Sequence, residues 1–378
     1  MRGKERRDKV ANLEKQAILN PEKLLKQKKN RRTKMLVTTL LGVLISVGIV
    51  FASFEAVRAF GKSSLKKVEA TRPILEQIQV EPIPEEEKNE WEEGWISHNG
   101  KIYEYNEDIM TFLIMGIDKQ EEVVEVEEGT DGGQADALFL AVMNPHTKTV
   151  QVIGINRNTM TDIDIYNETG AYVTTVEAQI AVQHGFGNGV EKSCEYQQKA
   201  VSKLFYNLPI HGYAAINMSA IPTINDAVGG VEVTVLEDLT NKDPKLIKDE
   251  NVHLMGETAY WYIRERDTNV FGSADARLVR QKQYLSAFIK AAKSAAKEDI
   301  SVALNLYQAI APMMTTDISA NEVAYLAPTL LDYQFDSDSF YMIEGETVMG
   351  EEFEEFYVDE DALYEMILNI FYEEVVRE

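Results

Sequence analysis

The chain predicts a layered α/β or α+β sandwich preceded by a single membrane-spanning helix, and three observations predict it. Apolar runs of strand length recur from residue 111 to residue 235, segments of helical periodicity separate and follow them, and one twenty-residue stretch near the N-terminus carries no charge. At 378 residues, with 45% hydrophobic and 9% aromatic content, the chain can bury a sizeable core, which excludes wholesale disorder, collagen and a multi-span membrane protein.

Residues 1–34 hold thirteen Lys/Arg against four Asp/Glu, although the whole chain has a formal net charge of −24. The rest is therefore strongly acidic, which excludes nucleic acid as a default partner. Residues 35–54, from Met35 to Phe54, form the uncharged stretch, about 30 Å long as a helix and so matched to a bilayer. Its length exceeds the apolar core of a secretory signal peptide, so an uncleaved anchor is expected. Lys26, Lys28, Lys29, Arg31, Arg32 and Lys34 abut it on the N-terminal side. The positive-inside rule then gives a single-pass cell-membrane protein with a cytoplasmic tail and everything after residue 55 outside. Residues 55–105, broken by Pro73, Pro82 and Pro84 and carrying Glu85, Glu86 and Glu87, read as an extracytoplasmic stalk.

The folded domain is expected over 106–300. Residues 111–118 and 137–143 are apolar runs, and Asn144 to Lys148 is a turn leading into a strand at 149–155. Residues 119–133 are too acidic to bury. Residues 193–206 and 219–228 read as helices, 231–235 alternates as a strand, and 274–295 is a long helix with Leu278, Leu285, Phe288, Ile289 and Ala292 on one stripe. Residues 301–378 read as an acidic, partly helical appendage packed on this domain, ending in an amphipathic helix at 362–375. The lone Cys194 permits no intramolecular disulfide, and five scattered histidines give no zinc signature. The glycines of 184–189 lack a P-loop ending, so they read as a plain loop.

Chemistry concentrates at strand ends. Asp118 closes the first apolar run and Asp136 opens the second; if those strands are antiparallel neighbours, the two carboxylates converge and suit a hard Mg²⁺ ion sharing a phosphate oxygen. The plainer account is two turn or cap residues. Arg157 follows the 149–155 strand, Arg264 and Arg266 are two apart, and Arg277, Arg280 and Gln281 share one helix face. Such an array can grip a pyrophosphate through planar donor forks, or it can form surface ion pairs with the abundant carboxylates.

The order of these segments carries a resemblance. A basic tail, one span, Leu-Ile-Met-Gly-Ile-Asp (113–118), Ala-Asp-Ala-Leu-Phe-Leu (135–140), Asn-Pro-x-Thr-Lys (144–148), Ile-Asn-Arg-Asn-Thr-Met (155–160), Asn-Asp-Ala-Val-Gly-Gly-Val (225–231), Ile-Arg-Glu-Arg (263–266) and Arg-Leu-Val-Arg-Gln (277–281) resemble the LytR-CpsA-Psr family over about 108–296. The resemblance implies an αβα sandwich around a mixed sheet. It also implies a phosphotransferase that moves a glycopolymer from a polyprenyl-pyrophosphate carrier onto peptidoglycan outside the membrane. It assigns Asp118 and Asp136 to a Mg²⁺ or another divalent cation, and Arg157, Arg264, Arg266, Arg277 and Gln281 to the pyrophosphate. Asp118, Asp136 and Arg157 would be catalytic. Apolar faces against the sheet would line a slot for the prenyl tail.

Three positions depart from the family pattern. Gln134 stands where an arginine is usual, Asn158 where an aspartate follows the arginine, and Gln179 where a lysine is usual; an acidic residue expected three before Arg277 is represented by Asp275, two before it. Each lost cation weakens the hold on a diphosphate by about 1–3 kcal/mol. The alternative is therefore a non-catalytic binder of lipid-linked glycan, or an envelope-assembly regulator, using the same pocket.

Overall fold

The computed structural model describes residues 61–63, 65, 72–75, 92–127, 129 and 131–376. The expected tail at 1–34, the expected span at 35–54 and most of the expected stalk lie outside them. Among the described residues no helix is long and apolar enough to cross a membrane.

In chain order the elements are β1 (Ile96–His98), β2 (Lys101–Tyr105), β3 (Met110–Ile117), β4 (Ala135–Asn144), β5 (Thr149–Ile155), β6 (Met160–Tyr166) and β7 (Tyr172–Gln179), then α1 (Glu191–Leu204) and β8 (Gly212–Asn217). There follow α2 (Ile221–Ala227), β9 (Val231–Thr234), β10 (Asn251–Leu254), α3 (Glu257–Arg264), α4 (Ser273–Glu298), α5 (Ser301–Ile310) and β11 (Met314–Thr316). The last are α6 (Ala320–Leu331), β12 (Phe340–Met342), β13 (Gly345–Met349), β14 (Glu354–Val358), α7 (Glu360–Phe371) and β15 (Tyr372–Glu374). Six strands make a central mixed sheet in the order β11-β8-β3-β4-β5-β12. The β8–β3 and β5–β12 pairs are parallel; β11–β8, β3–β4 and β4–β5 are antiparallel.

Strand periodicity sorts the sheet into two unlike faces. On one, Leu113, Met115, Leu138, Leu140, Ile153 and Ile155 are at most 1% exposed beneath α1 and α7, which contribute Cys194, Val201, Leu363, Ile367 and Phe371. On the other, Ile114, Gly116, Ala137, Ala141 and Ile216 are only half buried. This face is roofed by Leu278, Leu285 and Ile289 of α4, packed with Phe139, Val152 and Phe340, and further along by Tyr325, Leu326 and Leu330 near α6. Its small side chains explain the looseness: a side chain at Gly116 would sit 3.1 Å from Ala137, so neither position can fill the space above the sheet. A separate apolar cluster joins β9, β10 and α3 to Tyr284 and Phe288 of α4. The stripe read along α4 thus splits: Leu278, Leu285 and Ile289 face the sheet, and Phe288 faces this second cluster.

The C-terminal part does more than cover the domain. Residues 301–378 supply β11 and β12, the two outer strands of the central sheet, and α7 lies within its tightest core. The last helix ends at Phe371 rather than at 375, because residues 372–374 pair antiparallel with β2. That pairing also places the end of the expected stalk, β1 and β2, in a three-stranded sheet. The β6–β7 hairpin escaped sequence reading because the polar, largely exposed β7 has no apolar alternation.

The two faces should respond differently to truncation. Leu140→Ala is expected to destabilise the protein by about 2–5 kcal/mol, whereas Ile114→Ala, at a half-buried position, should cost less than half as much; urea unfolding measures both.

Candidate functional site

The antiparallel β3–β4 pair brings the end of one strand against the start of the other, with a register shift at Gly116/Ile117. The Asp118 amide donates to the carbonyl of Gln134 at 3.1 Å, which sets Asp118 beside the strand that carries Asp136. Arg157 reaches the same end from the turn after β5. Asn156 shapes that turn, its side-chain oxygen accepting from the Asn158 amide at 2.8 Å. Arg264 ends α3, and an extended Glu265 then places Arg266 beyond it. Arg277 enters from the first turns of α4.

These side chains form one cluster. Arg157 Nη1 lies 3.0 Å from Asp136 Oδ1, and Arg277 Nη1 lies 3.2 Å from Asp136 Oδ2, all three side chains being at most 12% exposed. Arg277 Nη2 also donates to the Asp136 carbonyl at 3.2 Å. Arg264 Nη2 donates to Asp118 Oδ1 at 3.1 Å on the open side, where the Asp118 side chain is 42% exposed. Arg266 donates to Ser273 Oγ at 3.4 Å, and its charge acts on both Arg157 and Arg277. Burial pulls the Arg277 guanidinium down to about 10; Asp136 opposes the shift, and Arg266 and Arg157 add to it. Burial also lowers Arg157, against the opposing pull of Asp136. Burial works against the Arg264 charge too, but the hydrogen bond to Asp118 together with the charges of Tyr260, Asp118 and Asp136 raises its pKa above the ordinary value.

Four guanidiniums face two carboxylates, so the cluster holds two positive charges in excess inside an acidic protein. Nε of Arg157 and Nε of Arg264 are buried with no hydrogen-bond acceptor among the described residues. Buried donors without acceptors are rare and costly. Among the described residues no group of three or more His, Cys, Asp or Glu side chains is arranged to hold a metal. A Mg²⁺ ion, which commonly takes only one or two carboxylates from protein, would have to share Asp136 with Arg157 and Arg277 and Asp118 with Arg264.

Two helix residues have other work. Gln281 is buried and donates to the Ile263 carbonyl at 3.4 Å. Arg280, 1% exposed, donates to the carbonyls of Tyr262 and Glu265 and pairs through Nε with Glu237 at 2.7 Å, so it fixes the segment that presents Arg264. Other contacts escaped sequence reading. Asp275 accepts from Asn156 and, at 2.8 Å, from Thr347 Oγ1. Glu354 accepts from the Gly272 amide at 2.8 Å and from the Asn158 side chain at 3.4 Å, while its carbonyl accepts from Gln179 at 2.7 Å. Nothing local marks Glu354 among the many acidic residues around it. His184, from the glycine-rich stretch, is buried with Nδ1 3.0 Å from the Gly133 carbonyl and Nε2 3.9 Å from Cys194 Sγ. It steadies the segment before Gln134, whose Oε1 accepts from Arg157.

The family model described as the LytR_cpsA_psr family matches residues 76–370. The chain belongs to that family. The match extends past residue 300, in keeping with the edge strands supplied from there. The polyisoprenyl-teichoic acid–peptidoglycan teichoic acid transferase TagU of Bacillus cereus strain ATCC 14579 is 31% identical over 182 residues, 48% of this chain and 52% of that protein. Its namesake from Bacillus cereus strain AH820 is 28% identical over 251 residues, 66% of this chain and 68% of that protein. The chain thus spans about half the length of the first of these relatives. Among solved structures, B. subtilis TagV aligns at a TM-score of 0.52 and 22% identity, covering 69% of this chain and 95% of that one. TagT bound to LI-WTA aligns at 0.51 and 20%, covering 70% and 91%. At these identities the likeness is one of fold.

Two outcomes follow from these contacts. Burial pushes His184 down to about 4 from 6.5, so native His184 stays neutral while the unfolded chain takes up a proton first. Its contribution is complete above pH 6.5 and is lost as the pH falls toward 4, by about 3 kcal/mol in all. Urea unfolding at pH 7 and pH 5 should show that slope, flattened in His184→Gln. Asn158→Asp sets a second carboxylate against Glu354 and should lower thermal stability, whereas adding Glu354→Gln should restore it; a coupling of about 0.5–3 kcal/mol in the double-mutant cycle is the expected signature.

Proposed function

We propose that the chain is a membrane-anchored extracytoplasmic phosphotransferase that moves a glycopolymer from a polyprenyl-pyrophosphate carrier onto peptidoglycan. The observation that carries the reading is the net +2 cradle of Arg157, Arg264, Arg266 and Arg277 at the edge of a half-open apolar face. A disubstituted pyrophosphate bears two negative charges, and its prenyl tail needs apolar cover. The partly buried apolar residues Ile114, Ala137, Leu285 and Ile289, packed against Leu278, would supply that cover. The relatives named as teichoic acid transferases support the same reaction class. The segment 35–54 would tether the chain to the surface that holds its lipid substrate, raising their effective concentration.

The chemistry is a phosphoryl transfer. The oxygen of an acceptor hydroxyl forms a bond to the glycan-bearing phosphorus, and the bond from that phosphorus to the bridging oxygen breaks. The electron pair leaves on prenyl monophosphate, and the hydroxyl proton passes to water at the exposed Asp118 side. Arg157 and Arg277, held by Asp136, orient the non-bridging oxygens, with the Arg157 and Arg264 Nε donors turned to the same anion. Asp118 and Asp136 would hold the divalent cation, which supplies neutralisation of the diphosphate charge. Positioning accounts for most of the rate, because the residues make no covalent bond to the group transferred.

The test uses the full chain in detergent micelles with a short-chain prenyl-pyrophosphate glycan, a peptidoglycan fragment and Mg²⁺. Magnesium-dependent release of prenyl phosphate is expected, reduced about 10²- to 10³-fold in Asp136→Asn and about as strongly in Arg157→Gln. Tight binding without release, in the presence of a competent acceptor, would establish the non-catalytic binder instead.

A further inference from the structure

Helix α4 starts at a residue that cannot cap it. Its N-cap is Gly272, which has no side chain to offer, so the first amides of the helix depend on other partners. In a capping box the residue three positions on reaches back to the N-cap amide. That residue is Asp275, and its carboxylate is turned elsewhere: one oxygen accepts from the Asn156 side chain and the other from Thr347 Oγ1 at 2.8 Å. The Gly272 amide donates instead to Glu354 Oε1 at 2.8 Å, so the cap is completed from β14, 82 residues further along the chain.

Glu354 and Asp275 together close a junction of three segments. Asp275 joins α4 to the turn before β6 and to β13. Glu354 joins β14 to α4 and, through Oε2 at 3.4 Å, to the Asn158 side chain of that same turn. The Phe356 amide donates to the Asn158 carbonyl at 2.9 Å, which lays β14 along the turn. Thr347 and Phe356 face each other in the β13–β14 ladder, so both bridges act from one hairpin. Asn156 and Asn158, each 4% exposed, flank Arg157, and Asp275 stands two residues before Arg277. Asp136 sets the spacing of the two guanidiniums at their tips. The junction sets the spacing of the backbones that carry them, against the repulsion of like charges.

We propose that Glu354 is a positioning residue of the anion site: capping α4 from the hairpin, it frees Asp275 to hold the Arg157 turn and so fixes how far apart Arg157 and Arg277 present their donors. The proposal rests on the reading of that cluster as a pyrophosphate site. Donors must match the oxygens of both phosphates, and a misplacement of about 1 Å can cost on the order of 10²-fold in rate.

The experiment uses the full chain in detergent micelles and measures affinity for inorganic pyrophosphate, thermal midpoint, and release of prenyl phosphate from a prenyl-pyrophosphate glycan. Glu354→Ala should weaken pyrophosphate binding about tenfold, and Glu354→Gln, which keeps an acceptor oxygen for the Gly272 amide, should recover most of it. Repeating Glu354→Ala in an Arg157→Gln background separates positioning from stability. Once one of the two spaced donors is gone, the loss should shrink to about twofold or less. A loss that stays tenfold in that background, or a lowered thermal midpoint with unchanged affinity in the single variant, overturns the positioning role. Should Glu354→Ala not fold, Thr347→Val removes one hold on Asp275 and should weaken pyrophosphate binding about threefold; unchanged affinity there also overturns the role. Pyrophosphate binding without prenyl phosphate release by the unaltered chain sinks the transferase reading alone, whereas no pyrophosphate binding sinks the anion site and the role of Glu354 with it.

Discussion

Gathering four guanidinium groups at one end of a sheet is electrostatically unfavourable, and the buried carboxylate of Asp136 makes it tolerable. Its two oxygens are divided between Arg157 and Arg277, and its carbonyl takes a further bond from Arg277. Removing one partner of a buried pair typically costs about 3–5 kcal/mol, because the other charge is left uncompensated in a medium that solvates it poorly. Burial is the main cause of the lowered pKa values of Arg157 and Arg277, and repulsion from Arg266 adds to it. The cluster thus holds its shape through Asp136 and Asp118, with four guanidiniums against two carboxylates.

The topology explains why the site sits where it does. Antiparallel β3 and β4 bring Asp118 and Asp136 to one end, and β5, antiparallel to β4, finishes at that same end and delivers Arg157. Helix α4 then crosses the looser face of the sheet and starts beside these ends. Its first turns provide Arg277 and its length provides the apolar roof. One face of the sheet is packed to near-zero exposure and carries stability, while the other, roofed by α4, is only partly buried.

Much of the site was legible in the sequence because its parts lie at the ends of strongly patterned elements. The runs at 111–118 and 137–143 announce buried strands, so the aspartates flanking them could be placed together once antiparallel pairing was assumed. Arg264 and Arg266 were paired by an assumed extended segment. The structure reaches the same convergence with Arg264 still in α3 and only Glu265 extended. Helical spacing grouped Arg277, Arg280 and Gln281 but could not separate them. Arg277 reaches Asp136, while Arg280 and Gln281 turn to the carbonyls of Tyr262, Glu265 and Ile263. The edge strands β11 and β12 were invisible because three-residue strands carry no period. Glu354 and Asp275 act through tertiary contacts that no local pattern encodes.

The departures from the family pattern take on a different meaning in three dimensions. Gln134 and Gln179 each remove a cation the family usually has, which by charge counting alone weakens a diphosphate site, whereas Asn158 removes an anion, which by the same count does not. None of the three side chains is idle. Gln134 accepts from Arg157, Asn158 donates to the Glu354 carboxylate, and Gln179 donates to the Glu354 carbonyl. Glu354 also accepts from Gly272, the residue that precedes α4 and adopts a left-handed backbone with no side-chain cap of its own. A carboxylate there complements the positive end of the helix dipole and ties β14 to the turn bearing Arg157 and to the helix bearing Arg277. An aspartate at 158 would repel Glu354, and an arginine at 134 would repel Arg157, so the neutral residues and the C-terminal hairpin are mutually consistent. Neutral side chains thus stand where the family usually has charges, and their hydrogen bonds hold Arg157 and the turn that bears it against Glu354 and its strand.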